Sequence, residues 1–269
     1  MELNDKTVLL TGASGGIGAA LAQELAAAGA RLLLQGRDRP RLNRLLAGLP
    51  DSGRHRIIAV DLLMPGAVDG LVQAVRDAGG LDLLINNAGT SRFAWLEDQP
   101  AGDIHHQLTL NLTMPVLLTR SLLPCLRRPG LIMNIGSTFG AIGYPGYSVY
   151  CAGKAGLRGF SEALDRELAG SGVRVLYFAP RATRTTLNSP QVVELNTALG
   201  NHTDSPEWVA AQALQALQKQ QQRRWLGWPE RLLVRLNALF PALLDRALAR
   251  QRATIAHYAG HPADKEISP

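Results

Sequence analysis

The sequence is short of cysteine and has no long apolar run, and these shortages exclude several classes of protein. Only two cysteines are present, Cys125 and Cys151, so we expect no disulfide framework and a reducing, cytoplasmic environment. The first residues, MELNDKTVLL, carry charges in place of the apolar stretch of a signal peptide. No run of about 18 uninterrupted apolar residues occurs, so we predict no membrane-spanning helix.

The sequence also has no internal repeats, no low-complexity stretches and no linker before residue 200. Because metal-ligand spacings are missing too, we expect no metal site. The 269 residues, 46% hydrophobic and with 27 glycines, suit one large α/β domain. The net charge of +6 could favour nucleic acid or an anionic membrane. The excess is C-terminal and accompanies leucines without a recognition-helix pattern, so we expect no nucleic-acid partner.

Short apolar runs alternate with helical patterns along the chain. They predict six strands, at residues 6–11, 31–36, 56–60, 81–85, 131–136 and 173–178, and a seventh at 223–227. A long helical pattern covers residues 101–126, and residues 188–205 suit a mobile cover. The alternation predicts an α/β fold with a Rossmann-like, doubly wound parallel sheet, in which ligands bind beyond the carboxyl ends of the strands.

The first predicted strand runs into the glycine turn TGASGGIG, residues 11–18, and then into a helix. Glycines let the backbone approach a pyrophosphate, and the free N–H groups of the helix start attract it. This context favours a dinucleotide site over a merely tight turn. After the second strand stand Gly36 and Arg37, where an NAD-specific site carries an acidic residue, so we expect NADP(H). Asp38 leaves NAD(H) possible as an alternative cofactor, although we expect this residue to cap the next helix.

Ser137, Tyr150 and Lys154 carry the predicted chemistry. Ser137 follows the fifth strand, and Tyr150 and Lys154 lie one turn apart on one face of a helix. An ammonium beside a phenol favours the phenolate, so we predict a lowered pKa for Tyr150. The serine hydroxyl could bond the same substrate oxygen.

Three other polar residues stand at informative positions. Asp61 follows the third strand and could bond an adenine amino group or cap the helix after Pro65. Asn86 could contact a ligand or brace neighbouring strands. Asn111 lies inside the long helix, where asparagine usually has a task or a backbone partner, and Pro115 frees its carbonyl to hold a water.

In this order and spacing, the motifs resemble those of the short-chain dehydrogenase/reductase family over about residues 5–228. The matching elements are TGASGGIG, Asp61, the NNAG at residues 86–89, Asn111, Ser137, and Tyr150 with Lys154. The resemblance implies an NAD(P)-dependent oxidoreductase that interconverts a ketone and a secondary alcohol, and it implies a homo-oligomer.

The resemblance also implies a role for each site residue. Tyr150 would be the general acid/base, Ser137 would hold the substrate oxygen, Lys154 would hold the nicotinamide ribose, and Asn111 would anchor a proton-relaying water. The implied cofactor-binding residues are Thr11, Gly12, Ser14, Gly16, Ile17, Gly18, Arg37, Asp61, Leu62, Asn87, Ala88, Gly89, Tyr150, Lys154, Pro180, Thr183 and Thr185.

One departure from the family pattern follows the sixth strand. The family usually has Pro-Gly followed by a threonine, whereas this chain has PRATRT at residues 180–185. Arg181 replaces the glycine and Thr183 replaces a common aliphatic residue. Arg181 is either a tolerated surface substitution or a reader of an anionic substrate group.

The chain then continues beyond the catalytic domain, residues 1–228, into an extension, residues 229–269. Apolar residues recur there at helical spacing, with a bend expected at Pro241: Leu232, Leu236, Leu239, Phe240, Leu243 and Ala247. Arginines flank them, and Trp225 and Trp228 precede them. The helix either covers the substrate cleft or a second subunit, or lies on an anionic membrane. We expect His257, His261 and the tail after Gly260 to be solvated or disordered.

These patterns predict an NADP(H)-dependent enzyme acting on an apolar, fatty-acyl or sterol-like carbonyl. The alternative from another class is a non-catalytic dinucleotide-sensing or scaffold protein on the same fold.

Overall fold

The fold is known from a computed structural model that describes residues 2–261. Seven strands form one sheet: β1 Thr7–Leu10, β2 Arg31–Gly36, β3 Arg56–Ala59, β4 Leu81–Asn86, β5 Leu126–Ile135, β6 Val173–Ala179 and β7 Arg223–Trp225. The α-helices before the extension are α1 Gly16–Ala27, α2 Arg39–Ala47, α3 Ala67–Asp77, α4 Ala101–Leu108, α5 Met114–Leu122, α6 Ser148–Glu167, α7 Pro190–Ala198 and α8 Pro206–Gln218. The extension contains α9 Glu230–Leu239 and α10 Pro241–Tyr258.

The sheet is parallel throughout and has the strand order β3-β2-β1-β4-β5-β6-β7. The predicted doubly wound sheet is therefore confirmed. The order reverses between β1 and β4, and the crevice beyond their carboxyl ends is where such sheets bind ligands.

Both faces of the sheet are covered, as a parallel sheet requires. Successive residues of β1 enter opposite cores: Val8 and Leu10 pack on one side and Leu9 on the other. Residues of α1 and α8 fill the first core, and residues of α3 and α5 fill the second. These layers hold the strand ends rigidly in place.

The structure differs from the predicted elements in two segments. The long helix over residues 101–126 ends at Leu122 and is interrupted by a π-helical turn at Thr109–Thr113, and β5 begins at Leu126 instead of residue 131. In the predicted cover, residues 190–198 form α7. The α-helix is interrupted at Thr109–Thr113 because Pro115 lacks the N–H that a continuous α-helix requires.

The extension bends where it was predicted to, between α9 and α10 at Pro241. Its inner side touches the rest of the protein at several points: α10 packs on α7, and Asn237 Nδ2 donates a 2.8 Å hydrogen bond to the Ala141 carbonyl, four residues past Ser137. The division into a catalytic domain and an extension stays a prediction. Within residues 2–261, no helix is long and apolar enough to cross a membrane.

Candidate active site

The turn after β1 has the shape that a pyrophosphate site requires. Gly12 has a φ of 63°, and a Cβ there would lie 2.8 Å from Ala88 Cα. A Cβ at Gly18 would lie 2.2 Å from the Gly12 carbonyl oxygen. Helix α1 begins at Gly16, and its N-cap residue, Gly15, has no side chain to bond the first N–H groups. Those N–H groups fit a phosphate oxygen.

Thr11 and Asn87 join this turn to the end of β4. The Thr11 hydroxyl accepts hydrogen bonds from the backbone N–H groups of Asn87 and Ala88, both at 3.0 Å. The Asn87 amide donates to the carbonyls of Thr11 at 2.9 Å and Gly12 at 3.1 Å. Both side chains thus bond to the protein's own backbone, and they hold the glycine turn against the end of β4 at the predicted cofactor site.

Asn86 braces strands. Its amide donates to Asn134 Oδ1 at 2.8 Å and to Thr119 Oγ1 at 3.2 Å, and Asn134 in turn donates to Ser161 Oγ on α6. Of the two alternatives left open for Asn86, the structure supports bracing.

Asn111 is buried in the π-helical turn and holds the segment that follows NNAG. Its amide donates to the Thr90 carbonyl at 2.8 Å, and its Oδ1 accepts from the Thr90 N–H at 2.9 Å. A Cβ at Gly89 would lie 2.9 Å from Asn111 Oδ1 and 3.7 Å from Lys154 Nζ. Asn111 therefore has the predicted backbone partner, next to Lys154, and its water-anchoring role stays a prediction.

Ser137, Tyr150 and Lys154 come together beyond the end of β5. The Ser137 side chain lies beside the Tyr150 hydroxyl, and its Oγ accepts a 3.1 Å hydrogen bond from the Phe139 N–H. Lys154 Nζ lies 5.8 Å from the centroid of the Tyr150 ring and donates a 2.8 Å hydrogen bond to the Ile135 carbonyl. The spacing along α6 thus produces the arrangement that the sequence predicts.

The predicted lowering of the Tyr150 pKa is wrong for this structure. Burial raises the pKa of Tyr150 to about 12, and the neighbouring Ser137 hydroxyl offsets only part of that rise. Lys154 is 5% exposed, and burial lowers its own pKa to about 8. Desolvation therefore outweighs the attraction between ammonium and phenolate that the i, i+4 spacing suggested.

Tyr177 on β6 supports Ser137 and was missed by the sequence reasoning. Its hydroxyl accepts from the Ser137 N–H at 3.3 Å and donates to the Ser137 carbonyl at 3.2 Å. A Cβ at Gly136 or Gly140 would lie within 2.4 Å of Tyr177 atoms. The two glycines flanking Ser137 were the signal that a bulky side chain packs beneath this turn.

A cavity of about 900 Å³ lies outside the glycine turn, between α2 and the cover. Ser14 and Gly16 line it, together with three arginines that the sequence reasoning did not select: Arg41, Arg44 and Arg184. Arg37 is exposed near the start of α2, and Asp38 accepts from the Arg41 N–H at 2.9 Å, which confirms its predicted role as a helix cap.

Asp61 and Leu62 follow β3 at the same edge. Asp61 does not cap α3, because that helix begins at Ala67 with Gly66 as its N-cap. Its carboxylate instead accepts from the Leu63 N–H at 3.0 Å, and the Leu62 side chain packs in the core. Asp61 stays a candidate for the adenine contact.

The segment after β6 lies across the glycine turn. A Cβ at Gly16 would lie 2.6 Å from Thr185 Cγ2, so Thr185 sits directly on the start of α1 beside Ile17. The Pro180 carbonyl accepts from the Thr138 N–H at 3.1 Å, and the Thr183 hydroxyl donates to the Arg181 carbonyl at 2.9 Å. Thr185 thus lies against the glycine turn, and it stays a predicted cofactor contact.

Arg181 is neither a surface substitution nor a free anion reader. Its side chain is 12% exposed and forms two 2.9 Å hydrogen bonds to the carboxylate of Asp204. A third, at 3.0 Å, reaches Glu230 at the start of α9. A Cβ at Gly227 would lie 2.7 Å from Arg181 Cδ, so the glycine leaves room for this junction. Arg181 therefore joins the site segment to the extension.

A second cavity of about 610 Å³ adjoins the catalytic helix. Aromatic side chains line part of it, Phe93, Tyr147 and Tyr258, and Tyr258 belongs to the extension. The ring centroids of Tyr147 and Tyr150 are 5.7 Å apart. The extension thus lines this candidate substrate cavity. This agrees with the alternative in which the extension helix covers the substrate cleft.

One prediction about the C-terminal region needs correction. Trp225 is half-buried, with its ring centroid 5.9 Å from that of Tyr177, so it packs beside the sheet. His261 is 10% exposed, stacks on Trp95 at 5.1 Å and lies 3.1 Å from the Asp98 carboxylate, so it is not solvated. His257 is exposed, as predicted. Residues 262–269 lie outside the described residues.

A parallel sheet with a glycine turn, a Ser-Tyr-Lys group and an aromatic cavity at its carboxyl edge defines a nicotinamide-dependent oxidoreductase. The sequence model of the family described as short chain dehydrogenase matches residues 6–195. The chain therefore belongs to the short-chain dehydrogenase/reductase family, is an NAD(P)-dependent dehydrogenase or reductase, and binds a nicotinamide dinucleotide.

Relatives and solved structures agree with this membership. The chain is 36% identical over 211 residues, 73% of its length, to the Rhamnolipids biosynthesis 3-oxoacyl-(acyl-carrier-protein) reductase of Pseudomonas aeruginosa, of which 82% is covered. A short-chain dehydrogenase from Streptomyces avermitilis has a TM-score of 0.76 at 30% identity and covers 96% of this chain, with 97% of its own length matched. A short-chain dehydrogenase from Burkholderia cenocepacia, solved in complex with NADP, has a TM-score of 0.74 at 32% identity over 80% of this chain and 91% of its own.

Proposed function

We propose that this enzyme uses NADP(H) to interconvert a ketone and a secondary alcohol on an apolar, lipid-like substrate, most specifically a 3-oxoacyl thioester. The observation that carries the chemistry is the meeting of Ser137, Tyr150 and the buried Lys154 beyond the end of β5. When bound, the nicotinamide supplies the hydride. The protein supplies the proton and the position of the carbonyl.

Tyr150 gives its phenolic proton to the carbonyl oxygen as that oxygen becomes an alkoxide. A pKa of about 12 keeps the phenol protonated at neutral pH, which suits a general acid in the direction of reduction. Ser137 holds the same oxygen, and Tyr177 fixes the backbone on both sides of that serine. Lys154 holds the nicotinamide ribose and stabilises the phenolate that remains.

The substrate class is supported by the aromatic lining and by one relative. Phe139 and Tyr147 surround the Tyr150 ring, with centroids 6.5 Å and 5.7 Å away. Phe93 and Tyr258 add aromatic surface to the cavity, which polar side chains such as Arg92 and Glu194 also line. The Pseudomonas aeruginosa relative is named as a 3-oxoacyl reductase. On the strength of that relative we favour a fatty-acyl chain over a sterol-like carbonyl.

The preference for NADP(H) over NAD(H) is supported by positive charge at the adenosine end. Arg37 stands where an NAD site has a carboxylate, Asp38 is occupied as a helix cap, and Arg41 lines the neighbouring cavity. The Burkholderia cenocepacia structure was solved with NADP.

We also propose a cytoplasmic homo-oligomer whose extension contacts a membrane peripherally. The support is the exposed, arginine-rich outer side of α9 and α10. No nucleic-acid partner is proposed.

The test is NADPH oxidation by the purified full chain with 3-oxoacyl thioesters of rising chain length, with NADH in parallel. Each buried CH₂ contributes about 0.8 kcal/mol, so kcat/KM should rise about fourfold per added carbon until the cavity is filled. Preference for small polar ketones would overturn the substrate class. Tight NADPH binding without turnover of any carbonyl would favour the dinucleotide-sensing alternative.

Arg37 provides the test of the cofactor preference. We expect Arg37→Ala to lower kcat/KM for NADPH by about 10- to 100-fold and to leave NADH nearly unchanged, because it removes a charge-assisted contact with the 2′-phosphate. Arg39→Ala, an exposed neighbour, is the matched control. Equal losses with both cofactors would contradict the assignment.

A further inference from the structure

The outer side of each extension helix presents exposed leucine and arginine side chains that are spaced one and two turns apart. Leu232, Arg235 and Leu239 stand at i, i+3 and i+7 on α9, and all three are exposed. Leu243, Arg246 and Arg250 stand at the same spacing on α10 and are exposed as well. The inner sides are occupied, since Leu244 and Ile255 are buried and Asn237 bonds to Ala141. The outer sides are thus free of the contacts that hold the extension to the core.

The bend between the helices exposes the largest apolar groups of this surface. We call Leu239, Phe240 and Leu243 the apolar corner; they are 71%, 57% and 54% exposed. They lie at the end of α9 and the start of α10, so all three stand at the bend that forms the tip of the helix pair. Three large apolar side chains at one tip are costly to leave in water.

Arginines stand behind the apolar corner on both helices. At about 1.5 Å rise per residue, Arg235 lies about 6 Å behind Leu239, and Arg246 and Arg250 lie about 4.5 and 10.5 Å behind Leu243. Within residues 2–261 none of the three has an ion-pair partner. Unpaired guanidinium groups behind an apolar tip match the order of layers in a membrane, from phosphate to acyl chain.

We propose that the apolar corner inserts into an anionic lipid surface while Arg235, Arg246 and Arg250 bind the lipid phosphates. Insertion of interfacial apolar side chains reaches about 5–10 Å, which agrees with the set-back of the arginines. The charge complementarity favours lipid over a second copy of the chain, because a self-contact through this face would bring the arginines of the two copies together. The inference rests on the proposed membrane contact of the extension and is independent of the reductase chemistry.

The experiment is co-sedimentation of the full chain with vesicles of phosphatidylcholine alone or mixed with phosphatidylglycerol. We expect binding to the anionic vesicles that weakens as salt is raised, because salt screens the contact with the headgroups. Phe240→Ser should weaken it about 10-fold, and the triple variant Arg235→Gln, Arg246→Gln, Arg250→Gln about 100-fold.

Matched variants keep the test specific. Met64→Ser removes an equally exposed apolar side chain elsewhere, and Arg56→Gln, Arg76→Gln, Arg120→Gln removes the same charge from other exposed positions. Both should change vesicle binding less than twofold. Activity of every variant on a soluble substrate reports folding, and it separates a failure of lipid binding from a failure of the proposed reaction.

Three outcomes would overturn the proposal. They are no binding to anionic vesicles, equal losses in the control variants, and a change of oligomer mass in Phe240→Ser without any vesicle binding by the parent chain. The last result would assign the apolar corner to a contact between copies.

Discussion

The core and the extension use polar residues in opposite ways. In the core, buried polar side chains converge on the site: Asn86, Asn134 and Ser161 link β4, β5 and α6 by hydrogen bonds, and Asn111 holds the segment after NNAG. In the extension, the arginines of α9 and α10 stand on the outer surface without ion-pair partners among the described residues. Buried polar contacts fix one geometry, whereas exposed charges leave a surface available for a partner.

The two regions meet along the inner side of the extension, where α10 packs on α7, so the outer side can be changed separately by mutation. Arg181 pairs with Glu230, Asn237 bonds to Ala141, and His261 packs against Trp95 and Asp98. Catalysis should therefore depend on the core contacts, and lipid binding should depend on the outer side of the extension. The junction between Arg181 and Glu230 should affect both.

Apart from loss of the Tyr150 hydroxyl, the largest separation is expected from Ser137→Ala. Loss of the hydroxyl that holds the substrate oxygen should lower kcat about 100- to 1,000-fold, the range for removing one oxyanion donor. NADPH affinity and vesicle binding should stay the same. Thr138→Ala is the control in the same turn. A parallel loss of lipid binding would show that core and extension are not separable.

A smaller effect is expected from pH, and it is confined to the core. Because burial lowers the pKa of Lys154 to about 8, its ammonium is present below that pH and is lost as pH rises through it. The kcat/KM for reduction, which reports the free enzyme, should fall about tenfold per unit above pH 8.

Lys154→Arg keeps its charge at all these pH values, so its weaker activity should not show this fall. A wild-type profile that stays flat well above pH 8 would contradict the role given to Lys154. Vesicle binding should be insensitive over the same range, because arginines do not titrate there.

The smallest effect on activity is expected at the junction. Arg181→Ala leaves the buried Asp204 carboxylate without its paired cation, and we expect a loss of about 2–4 kcal/mol in the free energy of unfolding. KM for NADPH should rise several-fold while kcat changes little, because Thr185 and its segment lose their support. Arg184→Ala, which removes an exposed neighbour, should cost less than about 0.5 kcal/mol. Equal destabilisation by both variants would show that Arg181 does not hold the site segment to the extension.

The sequence predicted the core well because its signals are local. Gly12 and Gly18, the apolar strands, and the one-turn spacing of Tyr150 and Lys154 each depend on a few neighbouring residues, and a parallel sheet then fixes where their ends meet. The topology and the meeting of Ser137 with Tyr150 followed from these signals.

Other features depend on contacts between distant segments and were missed. Tyr177 lies 40 residues from Ser137, and Arg181 meets Glu230 49 residues away. The direction of the Tyr150 pKa shift was wrong because desolvation is a property of the packed site and not of the spacing. Which side of α9 and α10 faces outward likewise required the packing of α10 on α7.

The most direct test of the central claim is a single-turnover assay with NADPH and a long-chain 3-oxoacyl thioester, comparing the wild-type chain with Tyr150→Phe. Tyr144→Phe serves as a control, since it removes a hydroxyl from the same aromatic cluster. The proposed mechanism predicts NADPH oxidation by wild type, a loss of about 100- to 10,000-fold in Tyr150→Phe, and NADPH binding that both variants retain. Oxidation by Tyr150→Phe at the wild-type rate would show that Tyr150 is not the proton donor and would contradict the account.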